Sequence, residues 1–357
     1  GVNANLTSLA AKVVRANRVT GEPLPDNPFY DEDGPNNDYI WARGFRNPFT
    51  MTFHPRTGDL WLNVVGSFYE QIFITQKGSH AGYSAYENDQ PNEFLEPAIV
   101  YRTNSVDQRT IAPGGAVRSG NVVTFTTSAN HGFRVGAPVT IAGVADPSFN
   151  GTVYVRERLS VTQFTAVQSG PDATSGGGSA TTRAFGGCVS GGTFYESTLF
   201  RPEYDGNFFF GDYNSGKIMR AILESSRIVR QVDEFVTGAA TNIDIATGPD
   251  GALYYAGHSS QTIKRLAPIS PGQKLVVYPT AIRVQEGGSA LFTVRLSEQP
   301  LSNVIVTIEK KAGGADNLQS TITSLVFTPE NWDQTQAVVI EALEDVNESN
   351  GVTFFQA

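Results

Sequence analysis

Hydrophobic and polar residues alternate along this chain in short runs, and almost nowhere do apolar positions recur at the spacing of a helix face. The clearest alternation lies toward the end, at Ile282/Val284, Ala290/Phe292/Val294/Leu296, Val304/Val306/Ile308 and Val338/Ile340. A period of two turns one face of a strand to a core and the other to water, so these runs predict a β-sandwich of immunoglobulin type. Earlier, one phrase occurs three times: a proline, a turn built on Gly and Asp or Asn, then Leu and aromatic residues. The copies are Pro55-Arg56-Thr57-Gly58-Asp59-Leu60-Trp61, Pro202-Glu203-Tyr204-Asp205-Gly206-Asn207-Phe208-Phe209-Phe210 and Pro249-Asp250-Gly251-Ala252-Leu253-Tyr254-Tyr255. Gly, Asp and Asn tolerate the positive φ of a tight turn and the aromatic runs suit a pleated surface, so each copy predicts a hairpin.

The second and third prolines stand 47 residues apart, within the blade period of a β-propeller. Strands are predicted at 48–54, 60–65 and 71–75, at 192–195, 207–211, 217–223 and 228–235, and at 243–246, 253–256 and 262–266. That is about three blades, where closed propellers have four to eight; the others are expected outside the chain. The stretch between the first two sets is rich in Thr, Val, Ser and Gly, with strands predicted at 122–127, 138–141, 152–155 and 163–167. It reads as a small β module inserted in a blade loop, which costs little closure entropy. The fold class is therefore all-β: a partial six-bladed propeller over 1–106 and 185–268, an inserted module at 107–184, a linker at 269–274 and an apparently incomplete sandwich at 275–357. One short helix is predicted at 5–14.

Composition narrows the function. A formal charge of −9 disfavours nucleic acid, whose phosphates need a Lys/Arg surface. The single cysteine, Cys188, rules out an intrachain disulfide and reads as a buried structural thiol. No apolar run is long enough to span a membrane as a helix. Asn5, Asn150 and Asn347 open N-glycosylation triplets, a pattern short enough to arise by chance.

In the first set of strands, Gly44-Phe45-Arg46-Asn47-Pro48 resembles the G-x-R-N-P signature of the soluble pyrroloquinoline-quinone (PQQ) sugar dehydrogenases, the glucose/sorbosone dehydrogenase family. Agreeing neighbours are Pro25-Asp26-Asn27-Pro28-Phe29, the Gly66 turn, Lys77-Gly78, Gly191-Gly192-Thr193-Phe194-Tyr195, Phe209-Phe210-Gly211-Asp212-Tyr213 and Gly248-Pro249-Asp250-Gly251. The resemblance covers residues 9–78 and 185–268 and implies the second half of a six-bladed propeller. It also implies hydride transfer from a sugar hydroxyl to PQQ, with a general-base histidine in an earlier blade. None of His54, His80, His131 and His258 stands in the matching context. Arg46 and Asn47 match two cofactor-contacting positions. Asn214 stands where sugar-oxidising members carry a lysine, and Thr241 and Ile243 where they carry arginines. Because a buried anion needs paired charge, these replacements make PQQ binding doubtful.

Glu70, followed by Gln71, reads either as support for a calcium loop near Gly66 or as a solvated turn. The C-terminal runs Val284-Gln285-Glu286-Gly287-Gly288 and Leu325-Val326-Phe327-Thr328-Pro329, with Trp332 and the acidic stretch 344–348, resemble Calx-β domains. That resemblance implies Ca²⁺ ligands at Glu286, Asp316, Glu344 and Asp345, although many relatives are metal-free spacers. The reading that follows leans away from an enzyme. It is a non-catalytic extracellular or cell-surface protein of adhesion or fibre-like assembly, taking a glycan or cell-surface ligand and a neighbour's strand at the unfinished edge near Phe354. The alternative is a PQQ-dependent sugar dehydrogenase whose catalytic N-terminal half lies outside the chain.

Overall fold

The computed structural model describes residues 2–34, 36–269, 272–344 and 351–356. A short leading pair, β1 (Val13–Val14) with β2 (Ile40–Ala42), precedes a four-stranded antiparallel sheet of β3 (Pro48–Phe53), β4 (Leu60–Val64), β5 (Tyr69–Thr75) and β6 (Ile99–Arg102). The helix predicted at 5–14 does not form. Ala11 takes a positive φ of 57°, Asn5 closes a local turn on Thr7, and Lys12 turns its ammonium onto the carbonyls of Val2 and Ala10, so local side-chain bonds replace helical ones.

Seven strands follow: β7 (Gln108–Ser119), β8 (Val122–Thr127), β9 (Pro138–Ala142), β10 (Gly151–Arg158), β11 (Gln163–Val167), β12 (Ala173–Ser175) and β13 (Ser179–Thr182). Because β7 pairs with both β13 and β8, the order β7-β13-β9-β10-β11-β8 closes on itself as a barrel, with β12 added at the β7 edge. The closure rests on a bend in β7 between Ile111 and Ala116. A Cβ on Gly115 would lie 2.6 Å from the Thr126 carbonyl oxygen, so only glycine admits the bend. Phe125, Phe133, Phe149 and Phe164 fill the barrel.

The second sheet is β14 (Val189–Phe194), β15 (Phe208–Asp212), β16 (Lys217–Ser225) and β17 (Ile228–Val236); the third is β18 (Asn242–Thr247), β19 (Leu253–Gly257) and β20 (Thr262–Leu266). The three sheets pack face to face in chain order, β14 lying against β3 and β18 against β14 and β15, which is a propeller-like fan. Two aromatic cores seal it. Trp61 packs with Phe194, Phe208 and Phe210 between the first and second sheets, and Tyr195, Phe209, Ile245 and Leu253 between the second and third.

The remaining strands are β21 (Leu275–Tyr278), β22 (Ser289–Leu296), β23 (Val304–Thr307), β24 (Glu309–Lys310), β25 (Leu318–Ser320), β26 (Ser324–Phe327), β27 (Gln336–Ala342) and β28 (Phe355–Gln356). A four-stranded sheet, β21-β22-β27-β25, and the β23-β26 pair share one core around Phe292, Val294, Val306, Phe327 and Val338.

Candidate active site

Strand register places one end of all three sheets together. Pro48, which opens β3, faces Val64, which closes β4; Val189 of β14 faces Asp212 of β15; Asn242 of β18 faces Gly257 of β19. The loops at 43–47, 65–68, 184–188, 213–216, 238–241 and 258–261 therefore gather at one end of the fan. Loops carried on a rigid sheet scaffold are where chemistry is usually placed.

Arg46 lies in this cluster. Its Nε donates to Ser67 Oγ (2.7 Å) and its Nη1 to the Val65 carbonyl (3.0 Å), while among the described residues Nη2 makes no hydrogen bond. The neighbouring Asn47 is exposed, and its amide is likewise without a partner among the described residues. Ser67 is fixed in turn: Glu87 accepts the backbone N–H groups of Ser67 (2.7 Å), Phe68 (2.6 Å) and Tyr69 (3.2 Å). Tyr213 shares a hydrogen bond with His258 Nδ1 (3.0 Å), and Asn214 donates to the Gly187 carbonyl (3.3 Å). Two other histidines lie elsewhere, His54 packing on Phe194 and His131 buried in the barrel, while His80 packs its ring under Gly44 of the 43–47 loop and holds the Gly82 N–H.

Beneath the loops lies a buried polar layer that sequence reasoning missed. Glu70 is fully buried. Its Oε2 accepts from Val189 N–H (3.0 Å) and Gly66 N–H (3.4 Å), its Oε1 from Thr103 Oγ1 (3.0 Å). It is neither a solvated turn nor an open calcium ligand, because its oxygens are turned to protein donors. Burial pushes its carboxyl above the usual range, against those hydrogen bonds. Asp212 Oδ2 accepts from the Tyr101 hydroxyl (2.8 Å) and Cys188 N–H (2.8 Å), and Oδ1 from Ser215 N–H (2.9 Å). The Cys188 thiol is pushed up by burial and then by these two carboxyls. Asn242 crosses between sheets: its Oδ1 accepts from Ser190 Oγ (2.8 Å), and its Nδ2 reaches the carbonyls of Ala239 (2.9 Å), Asp212 (3.1 Å) and Lys217 (3.2 Å). Glycines are the sequence signal for this layer, and a Cβ on Gly211 would lie 1.7 Å from Asn242 Oδ1. A Cβ on Gly186 would lie 2.1 Å from Asp212 Oδ1.

The calcium expectation is corrected. Glu344 lies beside Gly287, but no three His, Cys, Asp or Glu side chains converge as a metal site among the described residues. Asp345 lies outside the described residues, as does Asn347. No helix among them is long and apolar enough to cross a membrane.

Residues 2–113 match the family model described as Glucose / Sorbosone dehydrogenase. Aldose sugar dehydrogenase YliI of Escherichia coli (strain K12) is 40% identical over 80 residues, 22% of this chain and 21% of that relative. Among solved structures, the soluble aldose sugar dehydrogenase of Escherichia coli in its apo form has a TM-score of 0.40 at 20% identity, over 71% of this chain and 53% of that one. The PQQ-bound aldose sugar dehydrogenase of Streptomyces coelicolor has a TM-score of 0.39 at 13% identity, over 72% and 48%. The chain thus spans about half the length of those structures.

These findings overturn two expectations. The non-catalytic adhesion reading gives way to its sugar-dehydrogenase alternative, since the matches are to dehydrogenases. The doubt over PQQ, drawn from Asn214, Thr241 and Ile243, is overturned as well, since residues 2–113 match the family whose resemblance implies that cofactor. That doubt weighed cations alone, whereas neutral N–H and O–H donors also hold carboxylates. Over residues 2–113 this chain carries the Glucose / Sorbosone dehydrogenase pattern.

Proposed function

We propose that the chain forms part of a PQQ-dependent sugar dehydrogenase, contributing one side of the cofactor pocket at the open end of the fan. The observation that carries this is the state of Arg46 and Asn47: inside the matched segment, at the loop end, each keeps a hydrogen-bonding group uncommitted among the described residues. The donor set suits PQQ, an anionic planar quinone with three carboxylates. When bound, PQQ would supply the hydride acceptor. Arg46 would pair with a carboxylate through Nη2, its guanidinium plane held by Ser67 and Val65. Asn47 and Asn214 would donate to carboxylate or carbonyl oxygens, and the Tyr213–His258 pair would border the sugar. The family resemblance assigns proton removal to a histidine of a blade beyond those described.

A further observation supports that arrangement. Phe49, Met51 and Phe53 project from β3 on the face away from the second sheet, 49%, 59% and 62% exposed, and we read this face as the packing surface for a preceding blade. Secretion or surface display, and a Calx-β identity for the C-terminal sandwich, belong to the same proposal. The test is reduction of an artificial electron acceptor by the full polypeptide with added PQQ and a panel of aldoses, with PQQ retention measured separately. Retention and activity lost together in Arg46→Met support the assignment; a complete protein that neither retains PQQ nor oxidises aldoses refutes it.

A further inference from the structure

The turns bearing the repeated proline phrase lie at the end of the sheets opposite the candidate site, and the C-terminal sandwich touches all three. At the first, Arg283 donates to the carbonyls of Pro55 (3.2 Å) and Arg56 (3.1 Å). At the second, Thr280 Oγ1 donates to Asp205 Oδ1 (2.8 Å). At the third, Arg295 Nη2 donates to the Asp250 carbonyl (2.7 Å). Between them Thr198 and Val277 bind each other, Thr198 N–H to the Val277 carbonyl (3.3 Å) and Val277 N–H to Thr198 Oγ1 (2.9 Å). Val276 enters the aromatic core shared by the second and third sheets.

Glu196 sits in this seam. Its residue is 7% exposed, its carbonyl accepts the Thr280 N–H (3.3 Å), and its Oε1 is buried without a hydrogen-bond partner among the described residues. A buried carboxyl lacking a donor is tolerable when neutral and costly when charged. The charged and titratable groups around it are Arg56 from the first turn, Asp205 from the second, and Tyr278 and Arg283 from the sandwich. Arg56, the nearest cation, is already paired with Asp205 at 2.6 Å.

We propose that the sandwich is a clamp on the three blade turns, tight while Glu196 is protonated and loosened when it ionises. Ionisation would draw Arg56 from Asp205, the residue that holds Thr280, so the charge and the seam's hydrogen bonds compete for one guanidinium. Burial first, with Asp205 adding to it and Arg56 opposing, pushes the Glu196 carboxyl from 4.5 up to about 7. The docked state therefore binds the proton more tightly than the open one. Docking is strongest below the ordinary carboxyl range, weakens as pH rises toward 7, and is level above it. A shift of that size corresponds to a weakening of up to ~300-fold in the docking equilibrium.

Hydrogen exchange on the full chain, corrected for the intrinsic pH dependence of exchange, tests this through peptides covering 194–200 and 274–280. Exchange in both should rise between pH 5 and pH 8 in the wild type and stay low throughout in Glu196→Gln, whose neutral amide mimics the protonated acid. Peptides covering 122–127 and 163–167 in the barrel should show no such rise. A pH profile unchanged in Glu196→Gln, or a seam already open in that variant at pH 5, would overturn the proposal.

Discussion

Replacing Asn242 by Ala should be among the most damaging polar substitutions in the fan. Its side chain is completely buried and makes four hydrogen bonds, to Ser190 Oγ and to the carbonyls of Ala239, Asp212 and Lys217. Not all of those partners would be left bare. The Ala239 carbonyl also accepts the Asn242 backbone N–H, and the Asp212 carbonyl the Gly216 N–H. Lost bonds that leave a second partner in place cost about 1 kcal/mol or less each, and a group stripped of its partner costs 1–3 kcal/mol. The sum expected for Asn242→Ala is roughly 3–4 kcal/mol. The assay is urea unfolding followed by fluorescence with Trp41 and Trp332 replaced by Phe. The remaining Trp61 is buried with its ring 5.3 Å from Phe194 and 4.8 Å from Phe208, so it reports unfolding of the second sheet, the one that Asn242 ties to the third. Ser190→Ala removes one of the four bonds and should cost about 1 kcal/mol, much of it shared with Asn242 in a double-mutant cycle. A loss under about 1 kcal/mol for Asn242→Ala, or additive effects of the two changes, would refute the view that this side chain ties the blades together.

Three further outcomes follow from the same geometry. Arg46→Met should weaken PQQ retention by roughly 10- to 100-fold, the equivalent of one charge-assisted bond, while leaving the urea midpoint unchanged; equal retention removes Arg46 from the pocket. Arg134 is buried between barrel and first blade, held by Glu96 at 2.7 Å and Asn88 at 2.9 Å, and Arg134→Met should cost about 2 kcal/mol, discounted from a fully buried pair because Glu96 is partly in water. Susceptibility of the linkers at 103–107 and 183–187 to a protease would show the loosening. Cys188 should alkylate more slowly at pH 8 in the folded chain than in urea, since burial and the carboxyls of Glu70 and Asp212 hold its thiol up; equal rates would mean the thiolate is not disfavoured there.

Strand positions were legible because alternation and turn chemistry are local. The stretches at 217–223 and 253–256 were predicted from them, and β16 and β19 form there. Barrel closure was not legible, since it depends on β7 bending at Gly115 so that one strand meets both β8 and β13. The buried layer was less legible still: Asn63 meets the Ser190 carbonyl across 127 positions of sequence, and Tyr101 meets Asp212 across 111. Nothing in a single sequence pairs such residues, so Glu70 read as a surface acid. Arg46 and Asn47 were singled out because a five-residue phrase carries them; His258 was set aside because its link to Tyr213 is made only when the second and third blades lie side by side.

The repeated phrase and the candidate site stand at opposite ends of the same strands. Each phrase fixes a hairpin, and the hairpin fixes register: once Phe53 faces Leu60, Thr50 must face Asn63, and a bulge between Pro48 and Thr50 then sets Pro48 against Val64 at the loop end. The turns can thus share one chemistry while the loops at the other end differ in length and composition. Sharing one chemistry also lets a single domain touch all three turns, through Arg283, Thr280 and Arg295. Movement at those turns, as the proposed clamp requires, would alter the angle between blades, and Arg46 and His258 ride on different blades. A change in the sandwich seam should therefore alter PQQ affinity through geometry alone, with no group in the seam touching the cofactor.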